Sequence, residues 1–125
     1  AEQGHAGAQN NLGFCYANGY GVRKDLEKAV FWYQKAAEQG HVGAQGLLGF
    51  CYANGYGVQK NLEKAASWWQ KAAEQGHAGA QNALGFCHEN GYGVRKDLGK
   101  AVFWYQKAAD RGNNNARERL TQLKN

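Results

Sequence analysis

Apolar residues along this chain follow a helical spacing that occurs three times. In the first copy, one predicted buried face consists of Ala8, Leu12, Cys15 and Tyr16. Steps of three and four positions are typical of a helix, here over about residues 6–18. A second stretch with the same spacing contains Leu26, Ala29, Val30, Tyr33, Ala36 and Ala37. Glycines follow both stretches, so the pattern predicts two amphipathic helices joined by tight turns.

The two-helix pattern is a repeat with a period of 36 residues. The segment Leu12–Val22 returns unchanged as Leu48–Val58, and it returns as Leu84–Val94 with His88 and Glu89 as the only changes. The predicted units are residues 5–40, 41–76 and 77–112, and residues 1–4 are predicted to be the tail of a truncated preceding helix. Residues 113–125 are predicted to form a C-terminal capping helix, because a stack of repeats needs an end helix with one polar face.

Each second helix is predicted to begin after a capping side chain. Asp25, Asn61 and Asp97 stand at matching positions just before that helix. Their side-chain oxygens are suited to accept a free backbone N–H of the first turn.

The repeated positions resemble a known family. One unit contains Ala8, Leu12, Gly13, Tyr16, Gly19, Tyr20, Gly21, Val22, Asp25, Lys28, Ala29, Trp32, Tyr33, Lys35, Ala36, Ala37 and Gly40. This set closely resembles the sel-1-like repeat, a relative of the tetratricopeptide repeat, and it covers nearly the whole chain. The third unit departs from it at His88, where the pattern has Tyr, and at Gly99.

The resemblance implies an all-α fold, a right-handed α-solenoid of three helix-turn-helix repeats. It also implies that the first helices line a concave surface and that the protein is a non-catalytic scaffold or adaptor, in a family well represented in bacteria. A cysteine-rich bacterial branch is described as binding or hydrolysing penicillin-type compounds. That branch has paired cysteines in each repeat, whereas this chain has one. A structural spacer without a ligand of its own is the other alternative.

The candidate binding residues lie on the first helices. Phe14, Phe50 and Phe86 are two positions beyond the leucines Leu12, Leu48 and Leu84, which is about 200° around a helix. If the leucines face the partner helix, the phenylalanines point elsewhere, and the tetratricopeptide relative places that position on the concave surface. The predicted partner-binding set is Asn10, Phe14, Asn18, Phe50, Asn54, Asn82, Phe86, Glu89 and Asn90, with Tyr20, Tyr56 and Tyr92 as the rim.

This set predicts a groove for a protein or peptide, with apolar pockets flanked by amides. The alternative is that the phenylalanines pack between adjacent first helices and leave only the asparagines exposed.

Other chemistry is not favoured by the sequence. Cys15, Cys51 and Cys87 are one repeat apart, roughly two helix diameters of about 10 Å each, which is too far for a disulfide or a zinc site. Ser67 and Thr121 are the only Ser and Thr. We therefore predict no catalytic residue, no metal and no cofactor.

Charge and composition refine the expected partners. The chain of 125 residues has a net charge of +5, and its basic residues recur in turns and on outer helix faces. That distribution is typical of a solvated surface, so no nucleic acid is expected. No apolar run approaches the roughly 20 residues of a membrane span. We expect a monomer, or weak end-to-end association through the uncapped first repeat, with reduced cysteines in either the bacterial cytoplasm or the periplasm.

Overall fold

The structure of the chain, a computed structural model, describes the backbone of residues 2–124 and the side chains of residues 5–123. Within those residues it contains helices and turns but no strand. The seven helices are α1 (Glu2–Asn18), α2 (Leu26–Glu38), α3 (Val42–Asn54), α4 (Leu62–Glu74), α5 (Ala78–Asn90), α6 (Leu98–Asp110) and α7 (Asn114–Lys124). Each helix packs against the next one in chain order. The predicted all-α solenoid of three hairpins and a final helix is confirmed.

The predicted buried faces are confirmed in the second and third repeats. Leu48 and Leu84 are fully buried, whereas Leu12 is 40% exposed because no helix precedes α1 in the described residues. On the second helix of the first hairpin, Tyr33 and its alanine neighbours are buried. None of the helices between residues 2 and 124 is both long and apolar enough to cross a membrane.

Side chains cap the helices as their chemistry requires. Asp25, Asn61 and Asp97 accept the backbone N–H of the residue three positions later at 3.0–3.1 Å, which confirms these predicted caps. His41 and His77 cap α3 and α5 in the same way, through Nδ1 at 3.0 Å. The sequence analysis did not identify these histidines as caps.

The start of the chain differs from the expectation. Residues 2–4, expected to end a preceding helix, are instead continuous with α1, and residue 1 lies outside the described residues. His5 therefore lies inside a helix. A capping position requires extended backbone, as His41 has (φ −70°, ψ 108°), and His41 follows Gly40 in a left-handed conformation (φ 89°).

The two helices of each hairpin touch at a glycine. A Cβ placed on Gly85 of α5 would lie 2.8 Å from Cδ1 of Tyr105 in α6, closer than non-bonded carbon atoms approach. Gly13 faces Tyr33 in the first hairpin and Gly49 faces Trp69 in the second, with similar distances of 2.7 and 2.6 Å. The aromatic ring therefore lies in the space that a side chain on the glycine would fill.

Consecutive hairpins are joined by glutamines. Gln45 Nε2 donates to the carbonyl of Ala37 at 3.2 Å, and Gln81 Nε2 donates to the carbonyl of Ala73 at 3.0 Å, each in the preceding helix. In the second repeat, Gln75 Nε2 also donates to Gln45 Oε1 at 2.9 Å, so that both the donor and the acceptor of the Gln45 amide are hydrogen-bonded.

The third repeat lacks this last hydrogen bond. Arg111 occupies the position that Gln75 has in the second repeat, and its guanidinium lies against Gly76. Gln81 Oε1 is consequently buried without a hydrogen-bond partner. A buried acceptor without a donor costs stability because it has lost its hydration.

The final helix packs on α6 of the third hairpin. Asn113 caps α7 by accepting the N–H of Ala116 at 2.9 Å, and it stands where His41 and His77 stand in the repeats. Ala116 and Leu120 are buried against α6, and residue 125 lies outside the described residues.

Gly85→Ala should destabilise the protein by about 1–3 kcal/mol, because the added methyl group overpacks the contact with Tyr105. Gly7→Ala is the matched control, since a Cβ at Gly7 meets nothing within 4 Å, and alanine favours a helix interior by about 0.5–1 kcal/mol. Urea unfolding measures both. Equal effects of the two substitutions would contradict the glycine–aromatic contact.

Arg111→Gln should stabilise the protein by about 0.5–1.5 kcal/mol, the net value of one hydrogen bond, by supplying a donor to Gln81 Oε1. Gln75→Arg is the reverse exchange and should lower stability by removing the donor to Gln45. The melting temperatures of both variants test this prediction. A lower melting temperature of Arg111→Gln would show that the introduced amide does not donate a stabilising hydrogen bond to Gln81 Oε1.

Candidate partner-binding surface

The phenylalanines of the first helices lie at the protein surface. Phe14, Phe50 and Phe86 are 47%, 51% and 47% exposed, although the leucines two positions earlier in α3 and α5 are fully buried. The rings are therefore not buried between adjacent first helices, which was the alternative arrangement. Each of the three repeats therefore exposes a large apolar side chain at the same position, and Phe14 and Phe50 line one cavity.

Each phenylalanine has a tyrosine beside it. The ring centroids of Phe14 and Tyr20 are 5.8 Å apart, and the corresponding distance is 5.6 Å for both Phe50–Tyr56 and Phe86–Tyr92. These are favourable separations for tilted aromatic pairs. We call the six residues the Phe–Tyr ladder: Phe14, Tyr20, Phe50, Tyr56, Phe86 and Tyr92. The three tyrosines are also exposed, so the rings rest on one another and remain open to solvent.

The asparagines of the predicted set fall into two groups. Asn18, Asn54 and Asn90 are exposed, and the Nδ2 of each donates to the carbonyl of the phenylalanine four positions earlier at 2.9–3.0 Å. The Oδ1 atoms of these exposed side chains remain as hydrogen-bond acceptors next to the ladder. Asn10 and Asn82 are half-buried, with Oδ1 buried and without a partner. The first group lies beside the ladder, and the second lies deeper.

Two cavities adjoin the ladder. A cavity of about 450 Å³ lies between the first two hairpins and is lined by Phe14, Phe50 and Tyr56 of the ladder. The same cavity is lined by Leu47 and Lys24, which the sequence analysis did not select. A second cavity of about 390 Å³ lies between α3 and α5, and Phe50 and Leu47 line it too.

Glu89 is engaged within the chain. Its carboxylate accepts hydrogen bonds from the Tyr105 hydroxyl at 2.7 Å and from Arg119 of α7, with which it forms an ion pair. Between side chains of residues 5–123 this is the only ion pair. Glu89 belongs to the predicted partner-binding set, but its observed contacts fasten the final helix to the third hairpin.

The electrostatics of this cluster follow from its contacts. Burial by itself would raise the pKa of the Glu89 carboxyl, but hydrogen bonds from Arg119 and Tyr105 and the nearby positive charges keep that pKa below its ordinary value. Burial also raises the pKa of the Tyr105 hydroxyl, and the Glu89 carboxylate raises it further. The tyrosine therefore stays protonated and continues to donate.

The thiols lie in surroundings that disfavour reactivity. Burial raises the pKa of Cys51 and of Cys87 to about 11, so neither is a thiolate near neutral pH. Cys15 is half-buried, and none of the three cysteines forms a disulfide within the described residues. No three His, Cys, Asp or Glu side chains gather where they could hold a metal ion, within the part of the chain that the structure describes.

Glu89→Gln should lower the melting temperature at pH 7, because it removes the charge that attracts Arg119. A carboxyl whose pKa is depressed by folding adds stability above its unfolded pKa of about 4.3, and this contribution disappears as the pH falls through the folded pKa. The difference from wild type should therefore be greatest above about pH 5 and shrink below about pH 4. Glu118→Gln on α7 is the control, and a difference that stays constant with pH would contradict the ion pair's role.

Comparison with known proteins agrees with this architecture. The Sel1 repeat profile matches residues 6–41, 42–77 and 78–113, one residue later than the units predicted from the sequence. A Sel1 repeat protein from Oxalobacter formigenes is 43% identical with a TM-score of 0.89, over 92% of this chain and 47% of that one. A protective antigen of uropathogenic Escherichia coli strains, which displays an SLR fold, is 41% identical with a TM-score of 0.94, over 98% of this chain and 26% of that one.

Helicobacter pylori cysteine rich protein B is more distant, at 25% identity and a TM-score of 0.77, over 94% of this chain and 87% of that one. The chain thus spans less than half the length of the first two proteins. A search of curated proteins gave no match. Repeats of this kind typically mediate protein–protein interactions, and proteins built from them are generally non-catalytic scaffolds. With all three units matched, the chain belongs to the Sel1 repeat family.

Proposed function

We propose that this chain is a non-catalytic interaction module that binds a protein or peptide partner along its Phe–Tyr ladder. The observation that carries the proposal is the exposure of the three phenylalanines, each about half open to solvent at the same position of its repeat. Contiguous exposed apolar surface is uncommon on soluble proteins and is typical of interaction sites. Aromatic side chains also contribute much of the energy at such sites.

The exposed acceptors beside the rings support a peptide as the partner. Asn18, Asn54 and Asn90 present Oδ1 atoms next to the ladder, and each side chain is held in place by its bond to a helix carbonyl. An ordered amide loses little conformational freedom when it accepts a backbone N–H. Peptide recognition requires pockets for the side chains of the peptide and polar groups that bind its backbone. The aromatic rings of the ladder supply the first, and the asparagine amides supply the second.

A second row of exposed aromatics is less suited to binding. Phe31 and Phe103 on the second helices are 52% and 53% exposed, but Ser67 interrupts the row in the middle repeat. Lys35 and Lys107 also lie over these two rings, at 5.1 and 5.2 Å from the ring centroids. The row is therefore broken and partly covered, whereas the Phe–Tyr ladder continues through all three repeats.

A catalytic role is not part of the proposal. The two buried thiols have raised pKa values, Thr121 Oγ1 donates to the carbonyl of Arg117, and Ser67 is an exposed side chain on α4. No hydrogen bond between described residues joins Ser67 or a cysteine to a histidine. A nucleophile needs such a base within reach.

Replacing Phe50 and Asn54 together by Ala should weaken partner binding by at least about tenfold, as expected when one anchor of an interface is lost. The melting temperature should barely change, because both side chains are exposed. Peptides selected from a random display library on the full chain serve as the probes, and their affinities are measured by fluorescence anisotropy.

Phe103→Ala is the control, since it removes an equally exposed ring from a second helix. Peptides that bind both variants as tightly as wild type would refute binding at the ladder. A loss of about 3–5 kcal/mol in stability from Phe50→Ala would instead assign that ring to the core. If the library yields no binding peptide, the chain is better described as a spacer.

A further inference from the structure

The first cavity beside the ladder has an apolar interior and a basic rim. Phe14, Leu47 and Phe50 line it, together with the buried residues Tyr33 and Cys51. The polar atoms at its edge belong to Asn18, Lys24 and Tyr56, and no carboxylate lines it. An apolar side chain fits the interior of such a cavity, and an anion is favoured at its edge.

The second cavity shares a wall with the first. Leu47 and Phe50 line both, so these two side chains form a partition between them. The second cavity exists in this form because Gly46 replaces the asparagine of the other repeats and Trp69 replaces their tyrosine. The indole is fixed by a hydrogen bond from Trp69 Nε1 to the carbonyl of Gly46 at 3.1 Å. Two apolar depressions therefore lie side by side.

A lysine stands near the ladder in each of the three turns. Lys24, Lys60 and Lys96 stand at the same position of the three turns, all exposed, and none is in an ion pair among residues 5–123. Asp25 and Asp97, which follow Lys24 and Lys96, cap the next helices and form no ion pair with these lysines. Lys96 lies near the Glu89 carboxylate, whereas the Lys24 ammonium at the edge of the first cavity is available to pair with a ligand.

The junction after the third repeat is different. Glu89 replaces the alanine found at Ala17 and Ala53, and Arg119 of α7 takes the place of Leu47. Their ion pair stands at the positions held by Ala17 and Leu47, which line the first cavity between the first two hairpins. The two cavities beside the Leu47–Phe50 partition offer apolar anchoring away from this charged junction.

We infer that the partner is an acidic peptide segment with two apolar side chains, one in each cavity, and with carboxylates beside Lys24. This inference rests on the proposed function, because it names the class of peptide that the same surface binds. The apolar side chains supply burial, and the carboxylates pair with lysines that lack other partners. The net charge of +5 favours the same class of ligand at longer range.

The test uses peptides selected on the full chain whose binding depends on Phe50. These peptides should contain Asp and Glu in excess and two apolar residues, each of which weakens binding when replaced by Ala. Lys24→Glu should weaken their binding roughly tenfold at low salt and less at high salt, as expected of charge pairing at an exposed rim. Lys35→Glu makes the same change of charge on a second helix and should alter affinity by less than about twofold.

The other outcomes separate the two proposals. Phe50-dependent peptides that lack acidic residues and ignore Lys24→Glu would overturn the acidic partner and leave the ladder as a binding site. An equal loss with Lys24→Glu and Lys35→Glu would show a response to overall charge and would also overturn the local assignment. The absence of any Phe50-dependent peptide would overturn both proposals. Thermal unfolding of each variant verifies that it is folded.

Discussion

The close contact between a glycine of each first helix and an aromatic ring of each second helix is the constraint on which the structure depends. Gly13, Gly49 and Gly85 have no side chain where Tyr33, Trp69 and Tyr105 lie. This contact sets the distance and the register of the two helices in every hairpin. Because the register is set, Leu48 and Leu84 turn inward and the phenylalanines two positions later turn outward. The exposed ladder is a consequence of how the hairpin is packed.

Contacts between hairpins include specific polar and backbone contacts beside the buried alanines and leucines. Gln45 and Gln81 each hold a carbonyl near the end of the preceding helix. Gly57, in a left-handed conformation (φ 73°), lies so close to the carbonyl of Leu26 that no Cβ fits. Such contacts are directional, so neighbouring hairpins have a defined orientation. Phe14, Phe50 and Phe86 consequently hold the same position on successive first helices, each exposed to solvent.

The sequence alone predicted the elements that depend on local spacing. The helix faces and the caps at Asp25, Asn61 and Asp97 follow from residues a few positions apart. The same spacing left two alternatives for Phe50, exposure on the first helix or burial between first helices, and the ring is exposed. The capping histidines were missed because histidine is not a usual N-cap residue. The Glu89–Arg119 pair joins residues 30 positions apart, and neither residue has a counterpart in the other repeats. Lys24 and Leu47 were missed because their place beside the ladder depends on how two hairpins pack.

The joint between the third hairpin and α7 has a consequence for how arrays of this kind grow. Earlier joints pair small or apolar side chains, such as Ala17 near Leu47, and these suit any neighbouring copy. Glu89 needs the guanidinium of Arg119, and without it a carboxylate would be buried unpaired at considerable cost. A further unit inserted between the third hairpin and α7 would therefore have to supply a cation at the position of Arg119.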